Sequence, residues 1–278
     1  MRRMMRAFAL SATVLSLVTV LTSVAPAQTA LAQADQHDPR VADLVRAGEL
    51  RFGLGLGVLT QAVKNPATGE LRGAALELGR ALAARIGVRL VIVEYPRPGA
   101  VLDGLRTNAW DVSFLGIDPS RVEQVDFSHP LFQSDMTYLV APGSPIQSVA
   151  DADQPGIRIA VPRGDQSDLY LSRTLKRARL IRTDSHAAAV DLLRTGGADA
   201  KASPRYVLMA ELPAVPGSRV LDEGFADHPF AAIVPKGHAA RLAYVNEFVE
   251  QAKVSGLAKR IIESLGLKGV VRVTPPRS

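Results

Sequence analysis

Apolar positions along this chain switch repeatedly between a period near two and a period near 3.6, which predicts strands alternating with helices. Leu50-Arg51-Phe52-Gly53-Leu54 reads as a first strand, and a polar stretch bearing Pro and Gly follows from Gln61 to Gly69. From Gly73 to Ile86, Ala75, Leu78, Leu82 and Ile86 recur at helical spacing, and Gly87 stands where a left-handed C-terminal cap belongs. Val88 to Tyr95 is rich in β-branched residues and completes a strand–helix–strand unit, which implies a parallel sheet. A second helix is predicted over Ala100 to Arg106 and a buried strand over Asp111 to Ile117. The second half predicts strands at Ile157 to Val161, Leu180 to Arg182 and Ala198 to Ala202. Between them fall helices at Gln166 to Arg177 and Ser185 to Thr195, the latter closed by Gly196-Gly197. Asp135 to Gly143 and Phe230 to Val234 are extended segments suited to crossing between halves. Helices at Ala239 to Lys253 and Leu257 to Leu265 follow, and Val270 to Ser278, with two prolines, reads as a loose tail. Alternation without a repeated period predicts an α/β fold.

Composition narrows the class. Of 278 residues 47% are hydrophobic and 22% charged, so the chain can bury a core and disorder is excluded. The net charge of +6 includes Arg2, Arg3 and Arg6 in a head without acidic residues, which leaves 6 − 3 = +3 spread along the rest. No basic block remains to bind nucleic acid. That head, the uncharged stretch Ala7 to Ala25, and Ala30-Leu31-Ala32 have the form of a cleavable secretory signal over residues 1–32, with a mature start at Gln33 and a periplasmic destination; Ala32-Gln33-Ala34 and Ala25-Pro26-Ala27 are alternative processing sites. The chain has no cysteine, which excludes disulfides, thiolate nucleophiles and zinc–thiolate sites.

Several phrases resemble the bacterial periplasmic solute-binding proteins of the polar amino-acid type, the family 3 receptors of ABC importers. They are Gly69-Glu70-Leu71-Arg72-Gly73, Trp110-Asp111-Val112, Asp118-Pro119-Ser120-Arg121 followed by Val125-Asp126-Phe127-Ser128-His129-Pro130, Gly156 to Val161 with Arg163-Gly164, and Gly197-Ala198-Asp199-Ala200. The resemblance spans about Arg46 to Gly266. It implies a two-lobed α/β fold of the type II binding-protein kind, with two hinge strands and a ligand cleft between the lobes. Lobe 1 would comprise residues 38–135 and 232–268, lobe 2 residues 136–231, and 269–278 the tail. It also implies a monomeric receptor that needs no cofactor or metal, hands a carboxylate-bearing solute to an inner-membrane ABC permease, and does not bind nucleic acid.

Local chemistry supplies candidates for the cleft. Asp118 can cap a helix opened by Pro119, which places Arg121 in a first turn beside free N–H groups suited to an anion. The plain alternative is a surface arginine paired with Glu123 or Asp126. The resemblance implies instead that Arg121 clamps a ligand carboxylate, aided by Ser113, Phe114 and Gly116 on the preceding strand end. In the other lobe Gly164-Asp165 replaces the family's Gly-Thr turn, so Asp165, Gln166 or Asp168 would meet a polar or cationic part of the ligand, unless Asp165 only caps its helix. The acidic residue that usually receives an α-ammonium is replaced by Pro204, with Arg205 beside it as a possible second counter-charge. The aromatic that often covers the ligand is missing from Gly53 to Leu59, which puts an ordinary α-amino acid in doubt beside a simple carboxylate. Gly53-x-Gly55-x-Gly57 lacks dinucleotide spacing. His37, His129, His186, His228 and His238 show no metal spacing and read as solvated or loop residues, and Ser128-His129-Pro130 lacks a nucleophile elbow. Two alternatives to transport stay open: a periplasmic enzyme on the same scaffold resembling cyclohexadienyl dehydratase, with Asp165 or Asp168 as the acid, and a sensory ligand-binding protein.

Overall fold

The structure is a computed structural model that describes Asp35 and residues 38–277. The predicted signal segment lies outside the described residues. Strand β1 (Glu49–Gly55) leads through a hairpin of β2 (Val63–Lys64) and β3 (Leu71–Arg72) to helix α1 (Ala74–Ile86) and strand β4 (Arg89–Tyr95). Leu78, Leu82 and Ile86 of α1 are buried, and Gly87 ends it in the left-handed region at φ 79° with its N–H donated to the Ala83 carbonyl, as the sequence predicts. The segment predicted as a helix over Ala100 to Arg106 is instead a 3-10 helix, Pro98–Thr107. Pro98, Gly99 and Gly104 weaken an α-helix there, and Gly104 packs so closely on Trp110 and Tyr95 that a Cβ would collide with both.

Strand β5 (Val112–Gly116) and helix α2 (Pro119–Val122) precede the longest strand, β6 (Val125–Val140). Then come β7 (Arg158–Pro162), α3 (Gln166–Thr174), β8 (Arg179–Thr183), α4 (His186–Arg194), β9 (Ala200–Pro204), α5 (Arg205–Glu211) and β10 (Arg219–Val220). Ser185 caps α4 by accepting the Ala188 N–H at 3.1 Å. Strand β11 (Ala226–Pro235), helices α6 (Ala239–Val254) and α7 (Leu257–Ser264) and strand β12 (Arg272–Val273) complete the chain. Helix α5 and the β2–β3 hairpin had no clear signal in the pattern.

Strand order is β4-β1-β5-β11-β6-β9-β7-β8. The trios β4-β1-β5 and β8-β7-β9 are parallel within themselves, whereas β11 and β6 are antiparallel to each other and to the trio strands they border. This is a two-lobed arrangement in which β6 and β11 run from one lobe to the other. Along β6 the side chains alternate between sheet faces, so Tyr138 and Val140 enter one core of the second lobe and Leu139 enters the other. The first lobe packs mainly around Phe52, Phe114, Phe132 and Phe230, with Phe114 and Phe230 stacked at 5.8 Å between centroids. Register shifts in the β11–β6 ladder around Ala231 mark a bulge. The predicted crossings are thus parts of strands that start earlier, at Val125 and Ala226. The C-terminal segment is not a loose tail: Arg272 and Val273 pair with Gln133 and Phe132 of β6.

Candidate functional site

In parallel α/β sheets ligands lie beyond the carboxyl ends of the strands, and here those ends point at the line where the lobes meet. Four elements deliver groups there: α2 after β5, the Gly164 turn and α3 after β7, the start of α4 after β8, and the start of α5 after β9. The loop after β1 and His228 on β11 complete the wall. Together they enclose a cavity of about 30 Å³, lined among others by Thr60, Gly116, Arg121, Asp165, Gln166, His186, Tyr206 and His228.

Arg121 is its cationic floor. Asp118 caps α2 by accepting the Ser120 N–H at 3.0 Å but pairs with Arg173 at 2.8 Å, which leaves it unavailable to Arg121. The pairing with Glu123 or Asp126 anticipated for a surface arginine does not occur: Arg121 is 2% exposed, and Asp126 faces Lys236. Its guanidinium donates to the Gly116 carbonyl at 2.8 Å, the Gly164 carbonyl at 2.9 Å and Gln166 Oε1 at 3.1 Å, and its Nε has no partner. Burial lowers its pKa to about 10 against the pull of Asp165 and Asp118, so it stays charged at neutral pH. Gly116 must lack a side chain, because a Cβ there would sit 2.6 Å from His228 Cε1 and 2.7 Å from Gln166 Oε1.

The opposite wall is built around Asp165. It occupies the N-cap position of α3 without forming the cap bond, and its side chain turns into the cavity instead. Oδ2 lies 2.9 Å from His186 Nε2, too poorly aligned for a hydrogen bond, and Oδ1 has no partner. Behind the imidazole, buried Lys201 donates to His186 Nδ1 at 3.2 Å and to Glu211. The Nδ1 edge of the imidazole therefore faces Lys201 and Glu211, and its Nε2 edge faces Asp165. Gln166 crosses between lobes by donating to the Ile117 carbonyl at 2.6 Å, and a hydroxyl pair, Thr60 with Tyr206 at 2.6 Å, joins them again. Burial, reinforced by Arg121, lowers the His228 pKa to about 4, which keeps that imidazole neutral.

The cavity thus gathers four of the predicted residues, Gly116, Arg121, Asp165 and Gln166, and not the other four. Ser113 and Phe114 lie behind it: Ser113 is fully buried in the sheet and the Phe114 ring belongs to the aromatic core. Asp168 turns away to accept the Gly164 N–H at 2.8 Å and to pair with Arg182 at 2.8 Å. Arg205 lies outside the cavity lining, where it forks onto Asp135 at 2.5 and 3.0 Å and donates to the Leu221 and Asp222 carbonyls. His186 and His228 are corrections of another kind, since both are buried in the cavity wall and neither is solvated. Tyr206, at the start of α5, brings an aromatic ring to the cavity wall. The position of His186 directly after a helix cap at the end of a parallel strand was the one signal that could have flagged it.

Residues 61–266 match the family of bacterial extracellular solute-binding proteins, family 3. The ABC transporter glutamine-binding protein GlnH of Bacillus subtilis is 23% identical over 74% of this chain and 76% of its own length. The cyclohexadienyl dehydratase of Pseudomonas aeruginosa is 26% identical over 70% of this chain and 74% of its own. Among solved structures, an ancestral amino acid-binding protein that is a precursor of cyclohexadienyl dehydratase superposes with a TM-score of 0.72 at 26% identity, covering 81% of this chain and 98% of that one. With a family match over most of its length and the same two-lobed architecture, the chain belongs to the bacterial extracellular solute-binding proteins, family 3.

Proposed function

We propose that the protein is the periplasmic receptor of an ABC importer and captures a small amino acid or related organic acid between its lobes, which part to admit it because the present cavity of about 30 Å³ is too small to hold one. One observation carries this reading. Among the described residues six buried side-chain polar atoms lack any hydrogen-bond partner, and four of them, Arg121 Nε, Asp165 Oδ1, His186 Nε2 and His228 Nδ1, face this cavity. Unpaired buried polar atoms are costly, so their convergence points to a ligand that satisfies them. Arg121 takes the carboxylate, and Asp165, standing in for the acid replaced by Pro204, takes an ammonium or another N–H donor. Closure of the lobes about β6 and β11 then removes the ligand from water, and the closed form docks on the inner-membrane permease. We assign residues 38–134 with 228–277 to lobe 1 and 135–227 to lobe 2, earlier in β11 than residue 232 because Phe230 pairs with β5 and packs in the first-lobe core. Residues 1–32 direct export and are removed.

A thermal-shift screen of matched pairs, each an α-amino acid and its des-amino carboxylate, tests the reading. A ligand at 100 times its Kd adds about 2.7 kcal/mol of stability. Amino acids that win in the wild type and lose that advantage in Asp165→Asn support the assignment; no stabilisation by any carboxylate would refute it. N-terminal sequencing of the exported protein should read from Gln33, and a membrane-bound chain still starting at Met1 would defeat the periplasmic reading.

A second reading is acid–base catalysis on the same scaffold, favoured by two imidazoles and a carboxylate with unpaired atoms in one cavity. Incubation with cyclohexadienyl substrates separates the two: turnover abolished by Asp165→Asn would make the protein an enzyme.

A further inference from the structure

The hinge strands carry more restraint than two crossings need. Just before the pivot β6 is flanked on both edges, by β11 through Phe132–Phe230 and Gln133–Pro229 and by β12 through Phe132–Val273 and Gln133–Arg272. The C-terminal segment also binds that stretch beyond the ladder. Ser134 Oγ donates to the Val270 carbonyl at 2.7 Å, the Thr274 N–H donates to the Leu131 carbonyl at 2.9 Å, and the Thr274 hydroxyl bonds to Pro130 O at 2.5 Å. Pro275 and Pro276, which have no N–H, then carry the chain off the strand edge. Its end is fastened to α6, with Arg277 N–H donating to Glu250 at 2.8 Å and Lys253 Nζ to the Pro275 carbonyl at 3.4 Å. All of these anchors belong to the first lobe or to residues 130–134. The very next residue, Asp135, is held by the second lobe through the fork of Arg205.

We propose that residues 270–277 are a strap that fastens the hinge strand to the first lobe up to Ser134, so that lobe movement is confined to the step between Ser134 and Asp135. The partner step in β11 follows from the register, because His228 lies opposite Ser134 and Asp227 opposite Asp135. His228 also lines the ligand cavity, so the pivot and the site share a residue. Without the strap, residues 130–134 keep their pairing with β11 but lose the restraint on their other edge, and the lobes sample a wider range of separations. The strap rests on the premise that the lobes move, and it is tested without any ligand, so its failure is separate from failure of the binding reading.

The absence of native cysteine allows clean spin labelling at Asp103→Cys in the first lobe and Asp184→Cys in the second, both exposed. Double electron–electron resonance on the ligand-free protein gives the inter-lobe distance distribution. Two strap variants are compared with the full chain: Thr274→Pro, which removes the N–H and the hydroxyl, and a chain ending at Val271, which keeps the buried valine. Both should broaden the distribution and shift its mean to longer distance while thermal unfolding stays cooperative. An unchanged distribution in a folded strap variant overturns the proposal. If the truncated chain does not fold, Thr274→Pro decides alone. As a control, Arg205→Lys should also broaden the distribution by loosening the second-lobe side of the same step, and no change there would overturn placement of the pivot between the two clamps.

Discussion

Arg121 and Arg205 occupy places that look alike in the chain. Each stands in the first turn of a short helix that follows a strand, one after β5 and one after β9. Arg205 finds a complete set of acceptors in Asp135 and two carbonyls, and it is a closed interaction within the second lobe and its hinge strand. Arg121 is more deeply buried yet meets only neutral oxygens, and its Nε–H has no acceptor. Burying a charge without a counter-charge opposes folding. On the proposed reading a guanidinium in that condition receives a ligand carboxylate, whereas a satisfied one holds a joint. This difference leads to opposite expectations for removing the two side chains.

Removal of Arg121 should give the largest effect on binding. Arg121→Ala should weaken carboxylate ligands by about 2–5 kcal/mol, since the pair forms in a dry cleft, and should leave thermal stability equal or higher because an uncompensated charge is gone. Calorimetric titration beside a melting curve checks both, and unchanged affinity in a stable variant would return Arg121 to a structural role.

His228 gives the next effect, on stability against pH. Its pKa is depressed from 6.5 to about 4 in the fold, so the unfolded chain binds a proton at a pH where the folded one does not. The associated stability is fully present above pH 6.5 and is lost as pH falls toward 4, a change on the order of 3 kcal/mol at about 1.4 kcal/mol per unit. His228→Gln should flatten the stability profile across that window in chemical denaturation. A profile that keeps its slope would assign the acid sensitivity to other groups.

Arg205→Ala sharpens the contrast from the other side. It should lower stability by about 1–2 kcal/mol, a discounted value because Asp135 is about a third exposed, while a ligand contact by Arg205 would instead show as a loss of affinity beyond that of Asp135→Asn.

The same contrast shows what the sequence could and could not convey. Elements with local punctuation were legible: Gly87 ends α1, Ser185 opens α4, and Pro119 after Asp118 opens the turn that carries Arg121. Strand-and-helix alternation plus the phrase from Asp118 to Pro130 sufficed for the two-lobed fold and for one end of the site. Arg205 was misplaced because its partner lies 70 residues earlier on β6, a separation that no local pattern encodes. Asp168 was misplaced for a similar reason, as Arg182 draws it away from the cavity. His186, His228 and Tyr206 come from three different elements and meet only through the tertiary fold. The β12 strap was hidden by its prolines, which mark where the chain leaves a strand edge as readily as a segment that never joined one.

The smallest expected effect tests whether the contact between the lobes itself tunes affinity. Thr60 and Tyr206 form the one hydroxyl pair described across the cleft, both nearly inaccessible to solvent. In Tyr206→Phe the ring keeps its buried contacts while the Thr60 hydroxyl is left without that partner, so the closed form should lose about 1 kcal/mol, a typical net value for a neutral hydrogen bond. Affinity should fall roughly fivefold, chiefly through faster ligand release, because closure follows the first encounter. The double variant Thr60→Val with Tyr206→Phe removes the orphaned group and should recover part of the loss. Stopped-flow release rates for the two single variants and the double variant give the coupling: a value near zero would mean that the hydroxyls act separately, and that Arg121, Gln166 and the Asp118–Arg173 pair hold the lobes together around the ligand.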